Sequence, residues 1–276
     1  MGGAAGGTDN RFVTALTLGI TTARNPACKR GLAVNLAASL ARDAAYGSRV
    51  CVVDADPFSL DVSTRLAVAG PYLEDFADRE VPAPAALVET LATLHEPPLW
   101  VLRSAGRGVG RAHRAVSRVL APLRAAFDVV VCDLVGGPSG PARVVSGRLE
   151  QLDWLLVAVT PDMEAVQSAS RFLEQFEEAR DRGHVAESVR IGVVATGDEG
   201  SSALSAAAVA ELLGPPVVGS VCQLWGRAVP NLGFGAALGI GELDDAVGAL
   251  YERLRTPVDP AFALVGGPEP ASSRAS

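Results

Sequence analysis

The stretch from Leu16 to Asp56 reads LTLGITTARNPACKRGLAVNLAASLARDAAYGSRVCVVDAD, and the rest of the chain is interpreted from it. It begins inside an apolar run, Phe12 to Ile20, that is typical of a buried strand, and a polar loop, Thr21 to Arg30, follows. The next residues carry apolar side chains at helical spacing and predict a helix. A second apolar run, Val50 to Val53, leads into two aspartates. Strand, lysine-bearing loop, helix and strand ending in carboxylates form the layout of a phosphate-binding βαβ unit.

Downstream of this unit, short apolar runs alternate with amphipathic segments. The predicted strands are Leu99–Leu102, Val129–Asp133, Trp154–Val159, Val189–Ala195 and Val217–Val221. The predicted helices are Ala85–Leu94, His113–Ala126, one opened by Thr160 and Pro161, and Ala203–Leu213. A last amphipathic helix is predicted from Leu243, Val247, Leu250, Tyr251 and Leu254. The acidic, proline-bearing segment Gly70–Pro84 is predicted as a surface loop.

This alternation predicts an α/β fold: a single doubly wound, mostly parallel sheet with helices on both faces. One domain over residues 11–255 is the economical division. Residues 1–10 and 256–276, rich in Gly, Ala, Pro and Ser, are predicted to be disordered tails.

Composition restricts the function classes. The chain of 276 residues is 49% hydrophobic and 20% charged, which is enough apolar material for a sizeable core. A net charge of −7 argues against broad, nonspecific affinity for nucleic acid. Four scattered cysteines without metal-binding spacing, together with the lack of a signal peptide or membrane-spanning run, predict a cytoplasmic protein without an integral membrane segment.

The stretch 16–56 resembles the MinD/ParA group of P-loop ATPases, whose loop reads KGGxGKTT and runs into LAVNLA. The helix matches, since LAVNLA is present intact from Leu32 to Ala37. The loop does not match apart from its lysine, Lys29. The other motif positions are taken by Arg24 for the first lysine, Asn25, Pro26 and Cys28 for glycines, and Arg30 and Gly31 for threonines.

The resemblance implies roles for particular residues. Lys29 and Asp56 take the catalytic positions, with Asp56 vestigial if it acts at all. Asp54 and Asp133 take the positions around magnesium, as a vestigial metal shell. The residues implied to bind nucleotide or phosphate are Arg24, Lys29, Arg30 and Gly31. The alternative is that the carboxylates survive only as loop caps or as partners of the loop cations.

The changes in the loop predict a degenerate site. Pro26 has no N–H to offer a phosphate, and the guanidinium of Arg30 cannot ligate magnesium. In the family, a later strand is followed by an Asn-Arg pair whose Asn contacts the adenine base. In this chain the corresponding residues are Thr196-Gly197-Asp198. Trp225 stands near the family's other base-contacting position. Each nucleotide-facing loop has thus changed while the scaffold still matches.

The resemblance as a whole does not single out a branch of the family, but the sequence DPFSLDVSTRLAV, starting at Asp56, looks closest to the CpaE/TadZ and septum-site-determining branch. It implies a positioning or scaffold factor for pilus, secretion or division machinery, a pseudo-ATPase that requires no cofactor. The expected partners are a second copy of the chain and a protein of such machinery, with no specific nucleic acid. Recruitment to the inner face of the membrane at a pole or septum is compatible with this.

Two competing interpretations stay open. One is a working ATPase with an atypical P-loop that binds ATP and magnesium. The other is a DNA-partition protein. The acidic net charge argues against it, and the feature that favours it is a basic series, Arg103, Arg107, Arg111, Arg114 and Arg118. The last amphipathic helix lacks a basic cluster and is interpreted as core, not as a membrane anchor.

Overall fold

The computed structural model describes residues 15–24, 29, 32–42, 49–60, 62, 66, 68–95, 98–136, 151–196, 204–214, 217–221, 248–252 and 254. Its strands are β1 Leu16–Thr22, β2 Val50–Ala55, β3 Ala92–His95, β4 Pro98–Leu102, β5 Val129–Leu134, β6 Trp154–Val159, β7 Arg190–Thr196 and β8 Val217–Val221. Its named α-helices are α1 Leu32–Arg42, α2 Pro84–Thr90, α3 Val109–Ala126, α4 Met163–Asp181 and α5 Ala206–Leu213, and a 3-10 helix spans Leu73–Phe76. Residues 248–252 are also helical. The domain limits and tails stay predictions, because residues 1–14 and 255–276 lie outside the described part.

The described strands form one sheet in the order β3-β4-β2-β5-β1-β6-β7-β8. All pairings are parallel except β3 with β4. The first strand lies between β5 and β6, so the chain is wound outward from β1 in both directions. The predicted α/β sheet is therefore confirmed, and the ends of β1, β2, β5 and β6 share one edge of it, here called the carboxyl edge.

Two apolar layers cover the sheet. On one face, buried residues of α2, α3 and α4 pack with the 3-10 helix. On the other face, α1 packs together with the C-terminal residues Leu250, Tyr251 and Leu254. The indole N–H of Trp154 donates to the carbonyl of Leu254 at 3.0 Å, which fixes this last segment to β6. Leu250, Tyr251 and Leu254 of the predicted last helix therefore lie in the core, whereas Leu243 and Val247 are outside the described residues.

Two sequence predictions were wrong. The helix expected over Ala85–Leu94 ends at Thr90, because residue 91 turns extended and the chain then pairs with β4 as an antiparallel strand. The expected surface loop Gly70–Pro84 contains the 3-10 helix, whose Leu73, Glu74 and Phe76 are buried. Burial of a glutamate inside an acidic segment is not what composition indicates.

The start of α4 also differs from expectation. Asp162, not Thr160, is the N-cap, and its carboxylate accepts the backbone N–H of Ala165 at 2.8 Å. Thr160 instead donates its hydroxyl to the Asp162 carboxylate at 2.7 Å. Although burial acts the other way, these hydrogen bonds and the nearby Arg24 lower the pKa of Asp162.

Candidate functional site

A buried lysine and two aspartates meet at the carboxyl edge. The ammonium of Lys29 lies 2.6 Å from Oδ1 of Asp133 and 2.8 Å from Oδ2 of Asp56. The Lys29 side chain is 1% exposed, and those of Asp56 and Asp133 are 4% and 3% exposed. The fold brings the three together because Lys29 precedes α1 while the aspartates stand at the ends of β2 and β5. These three residues are called the lysine cluster below.

Asp54 lies beside this cluster. It is fully buried on β2 and is the register partner of Asp133 on the neighbouring strand β5. Side chains of directly paired residues stand on the same face of a sheet, so the two carboxyl groups are close. The structure therefore places all three aspartates at the edge of the sheet that holds Lys29.

The charges in this site shift each other's protonation. Burial raises the pKa of Asp133, and the charge of Asp54 adds to the rise against the opposing effect of Lys29, so that the pKa stands at about 7. Burial alone would lower the pKa of Lys29, but the negative charges of Asp133 and Asp56 outweigh it and the pKa is raised. The lysine is therefore a cation at neutral pH, and Asp133 keeps its proton to a higher pH than a carboxyl group in water does.

The lysine stem lies close to Gly136, where a larger residue would be crowded. A Cβ added at Gly136, just after β5, would stand 3.3 Å from Cε of Lys29 and 2.5 Å from Cγ2 of Thr22. The hydroxyl of Thr21 donates to the carbonyl of Val135 at 2.8 Å and ties the end of β1 to the same segment. The position of the lysine is thus fixed by packing as well as by charge.

Asp56 also organises the turn that follows β2. Its Oδ1 accepts the backbone N–H of Phe58 at 3.0 Å and that of Ser59 at 3.4 Å. Leu60 then has a φ of 46°, a conformation that non-glycine residues rarely adopt. The turn leaves the side chain of Phe58 65% exposed. Sequence reasoning did not single out Phe58; its position in the turn after a strand-ending aspartate was the available signal.

Arg24 has its own partner in the structure. Its guanidinium pairs with the carboxylate of Glu164, the second residue of α4, on the surface of the carboxyl edge. The neighbouring Met163 is 48% exposed. The prediction that Arg24, Lys29 and Arg30 form one anion site is untested as a whole, because Arg30 and Gly31 lie outside the described residues. Thr196 is buried at the end of β7, whereas Gly197, Asp198 and Trp225 are not described.

The predicted basic series is largely engaged with acidic groups of its own chain. The guanidinium of Arg107 lies 2.6 Å from Asp75, and that of Arg111 lies 2.8 Å from Asp78. These pairs are half exposed and reduce the positive charge that this surface offers to a phosphate backbone. Asp75 and Asp78 belong to the acidic segment that the sequence placed in a surface loop.

The family resemblance of the sequence implies ATP and magnesium, and the side chains as placed do not fit them. The lysine atom that would contact a phosphate oxygen already has two carboxylate oxygens within 2.8 Å. A phosphate would also approach three buried carboxyl groups, and charges of like sign repel strongly where water is excluded. Within the described ranges, no group of three His, Cys, Asp or Glu side chains is arranged to hold a metal ion. Asp54 and Asp133 as magnesium ligands stay a prediction.

Comparison of the sequence gives no match to a family model or to a curated protein. Comparison of the structure gives several similar solved structures. An ATP complex of McdA from Cyanothece is 20% identical with a TM-score of 0.65, over 89% of this chain and 99% of that one. A ParA family ATPase from Chlorobium tepidum is 17% identical with a TM-score of 0.64, over 87% and 98%.

A third similar structure is the MinC:MinD cell division complex from Aquifex aeolicus. It is 18% identical with a TM-score of 0.65, over 89% of this chain and 98% of that one. In the part of the chain that the structure describes, no helix is long and apolar enough to cross a membrane. At this level of identity the likeness concerns the scaffold, and the chain therefore has the P-loop fold of the MinD and ParA ATPases.

Proposed function

We propose that this chain is a degenerate member of the MinD/ParA family that acts as a spatial positioning or scaffold factor with weak or no ATP hydrolysis. It would act at a cell pole or septum, together with a protein of pilus, secretion or division machinery. The observation that carries the proposal is the lysine cluster, in which Asp56 and Asp133 hold the one lysine that the loop retains.

The loop chemistry supports loss of turnover. Phosphate binding by a P-loop needs backbone N–H groups, a lysine and a hydroxyl on magnesium. Pro26 has no N–H, Arg30 replaces the hydroxyl, and Lys29 is already paired with carboxylates. Each of the three requirements is therefore weakened at a different residue, and no cofactor is required.

The carboxyl edge supports an action through surfaces. Phe58 after β2 and Met163 after β6 are large exposed apolar side chains, and aromatic residues and methionine are enriched in protein interfaces. Arg24 and Glu164 place opposite charges side by side at the same edge. Opposite charges within one patch allow a second copy to pair with it by twofold symmetry. We therefore include a homodimer that forms without nucleotide.

Turnover and binding measurements test the enzymatic half of the proposal. We expect ATP hydrolysis at background, and any nucleotide binding detected by calorimetry should be weak, indifferent to the base and nearly independent of magnesium. Lys29→Ala is the matched control, because any genuine site turnover must depend on this lysine. Magnesium-dependent hydrolysis that disappears in Lys29→Ala would refute the proposal.

Mass in solution tests the scaffold half. Without nucleotide we expect a dimer that dissociates in Phe58→Ser but persists in Leu212→Ser, which removes a comparably exposed apolar side chain from α5. The double variant Arg24→Glu/Arg30→Glu should lose its normal position in cells. A wild-type monomer at high concentration, with the double variant still placed normally, would contradict this half.

A working ATPase with an atypical loop is the second candidate. It is favoured by the similarity to an ATP complex of McdA and by the order in which Lys29, Asp54, Asp56 and Asp133 are retained. The turnover measurement decides between the two. A DNA-partition protein is less supported because acidic partners engage Arg107 and Arg111, and a salt-dependent DNA shift assay tests it.

A further inference from the structure

We infer that the chain occupies its own phosphate position: the carboxylates of Asp56 and Asp133 are built-in anionic partners of Lys29, and this internal contact both excludes phosphate and stabilises the nucleotide-free fold. The inference deepens the proposed function by naming what replaces the nucleotide at the lysine. It concerns the ground state of the protein and is tested without measuring turnover.

The geometry is that of a completed site. The ammonium of Lys29 has three N–H donors, and two of them meet carboxylate oxygens at 2.6 and 2.8 Å. Both distances are those of charge-assisted hydrogen bonds. Asp56 is itself held, since its second oxygen accepts backbone N–H groups of the turn at Phe58 and Ser59.

The contact links parts of the chain that are far apart in sequence. Lys29 lies before α1, Asp56 follows β2, and Asp133 is on β5, 104 residues after the lysine. Gly136 lies beside the lysine stem, and a Cβ added there would collide with Thr22. Loss of the lysine charge would therefore leave carboxylates buried without a cation at the meeting point of three elements.

Access for a phosphate is correspondingly poor. The lysine is 1% exposed, and two of its three N–H donors already meet carboxylate oxygens. A phosphate oxygen that approached the third donor would stand in a buried site beside both carboxylates. That approach is unfavourable because negative charges repel strongly in a region of low dielectric.

Thermal unfolding without nucleotide tests the contact. At pH 8, Lys29→Met should lower the Tm by on the order of 10 °C, because removing one partner of a buried ion pair leaves an uncompensated charge. Arg24→Met is the matched control: it removes the other described cation of the same loop, whose pair with Glu164 is exposed, and should lower the Tm by less than about 2 °C. Equal, small losses in both variants would overturn the inference.

A further variant keeps the test decisive if the Lys29→Met protein does not fold. Lys29→Met combined with Asp56→Asn and Asp133→Asn removes both carboxylates as well as the cation. This triple variant should melt above Lys29→Met, or be recovered folded where the single variant is not, since the uncompensated charges of the cluster are gone. A triple variant that is no more stable than the single one would overturn the inference.

Inorganic pyrophosphate tests the exclusion of phosphate. With and without magnesium, it should leave the Tm of the wild type unchanged, since a ligand that binds the folded state must raise it. A rise that is absent in Lys29→Met would overturn the inference. Failure of the proposed function looks different. Magnesium-dependent turnover that disappears in Lys29→Ala refutes its enzymatic half, and a wild-type monomer with the Arg24→Glu/Arg30→Glu variant still placed normally refutes its scaffold half. The melting results test only the internal contact.

Discussion

Glu74 offers a sharp test of how the carboxyl edge is held together. This carboxylate is fully buried and accepts the Ser104 hydroxyl at 2.6 Å and the backbone N–H groups of Ala105 and Arg107 at 2.8 and 3.2 Å. The loop that it binds continues into α3. At Gly106 the loop approaches the turn that carries Phe58, since a Cβ there would stand 3.4 Å from the carbonyl of Pro57.

Glu74→Ala should destabilise the protein by about 3–5 kcal/mol. Hydrogen bonds to a charged group contribute about 1.5–3 kcal/mol each, and buried donors left without an acceptor add a cost, while the effects are not additive. For a chain of this size each kcal/mol corresponds to roughly 2–4 °C in Tm, so we expect a loss of roughly 6–20 °C. Glu74→Gln should fall between wild type and Glu74→Ala, because its amide keeps one acceptor oxygen and turns an NH₂ group toward a backbone donor.

Calorimetry and denaturant unfolding measure these losses. Asp75→Asn is the matched control, because Asp75 is the neighbouring acid but its pair with Arg107 is half exposed, and its loss should stay below about 1 kcal/mol. If Glu74→Ala cost no more than Asp75→Asn, the reasoning that Glu74 fastens the loop would be refuted. Loosening of the loop should also reduce the dimer fraction that depends on Phe58.

Three further results are expected. The pKa of Asp133 is raised from 3.8 to about 7 in the folded state, so the folded protein binds more protons than the unfolded chain between these pH values, and this group's contribution to stability is lost as the pH rises through them. The stability of wild type relative to Asp133→Asn should therefore fall from about pH 4 to about pH 7, by at most about 1.4 kcal/mol per pH unit. A difference that does not change with pH in unfolding experiments would contradict this. Gly136→Ala should cost about 1–3 kcal/mol in denaturant unfolding, since the added Cβ would stand 2.5 Å from Cγ2 of Thr22, and a neutral result would show that the segment yields. Trp154→Phe should cost about 1 kcal/mol and speed hydrogen exchange in residues 248–254, because the hydrogen bond to Leu254 is lost; unchanged exchange there would count against a docked C-terminal helix.

The elements that could be predicted share a property: their signal is local. Trp154–Val159 was predicted with its observed bounds, because a continuous apolar run flanked by polar residues is typical of a central parallel strand. Val217–Val221 was also predicted with its observed bounds, and there the signal was the pair of prolines that precedes it. The short strand β3 was missed because Thr93 and its neighbours give no apolar run, and their pairing with β4 decides the conformation. Glu74 was missed because a buried carboxylate is recognised only through the donors that surround it.

The sequence by itself determined the parallel α/β layout and the set of chemical groups at the carboxyl edge. Alternating strands and helices lead to right-handed crossovers, which bring the strand ends bearing Asp54, Asp56 and Asp133 to the side where the loop carries Lys29. Only the tertiary structure decided which charges meet. Lys29 pairs with Asp133 across 104 residues, and Arg24 pairs with Glu164 across 140. Long charged side chains at one edge have several oppositely charged groups within reach. Which partner each one pairs with depends on burial and packing, such as the close packing at Gly136, and local sequence patterns do not show these.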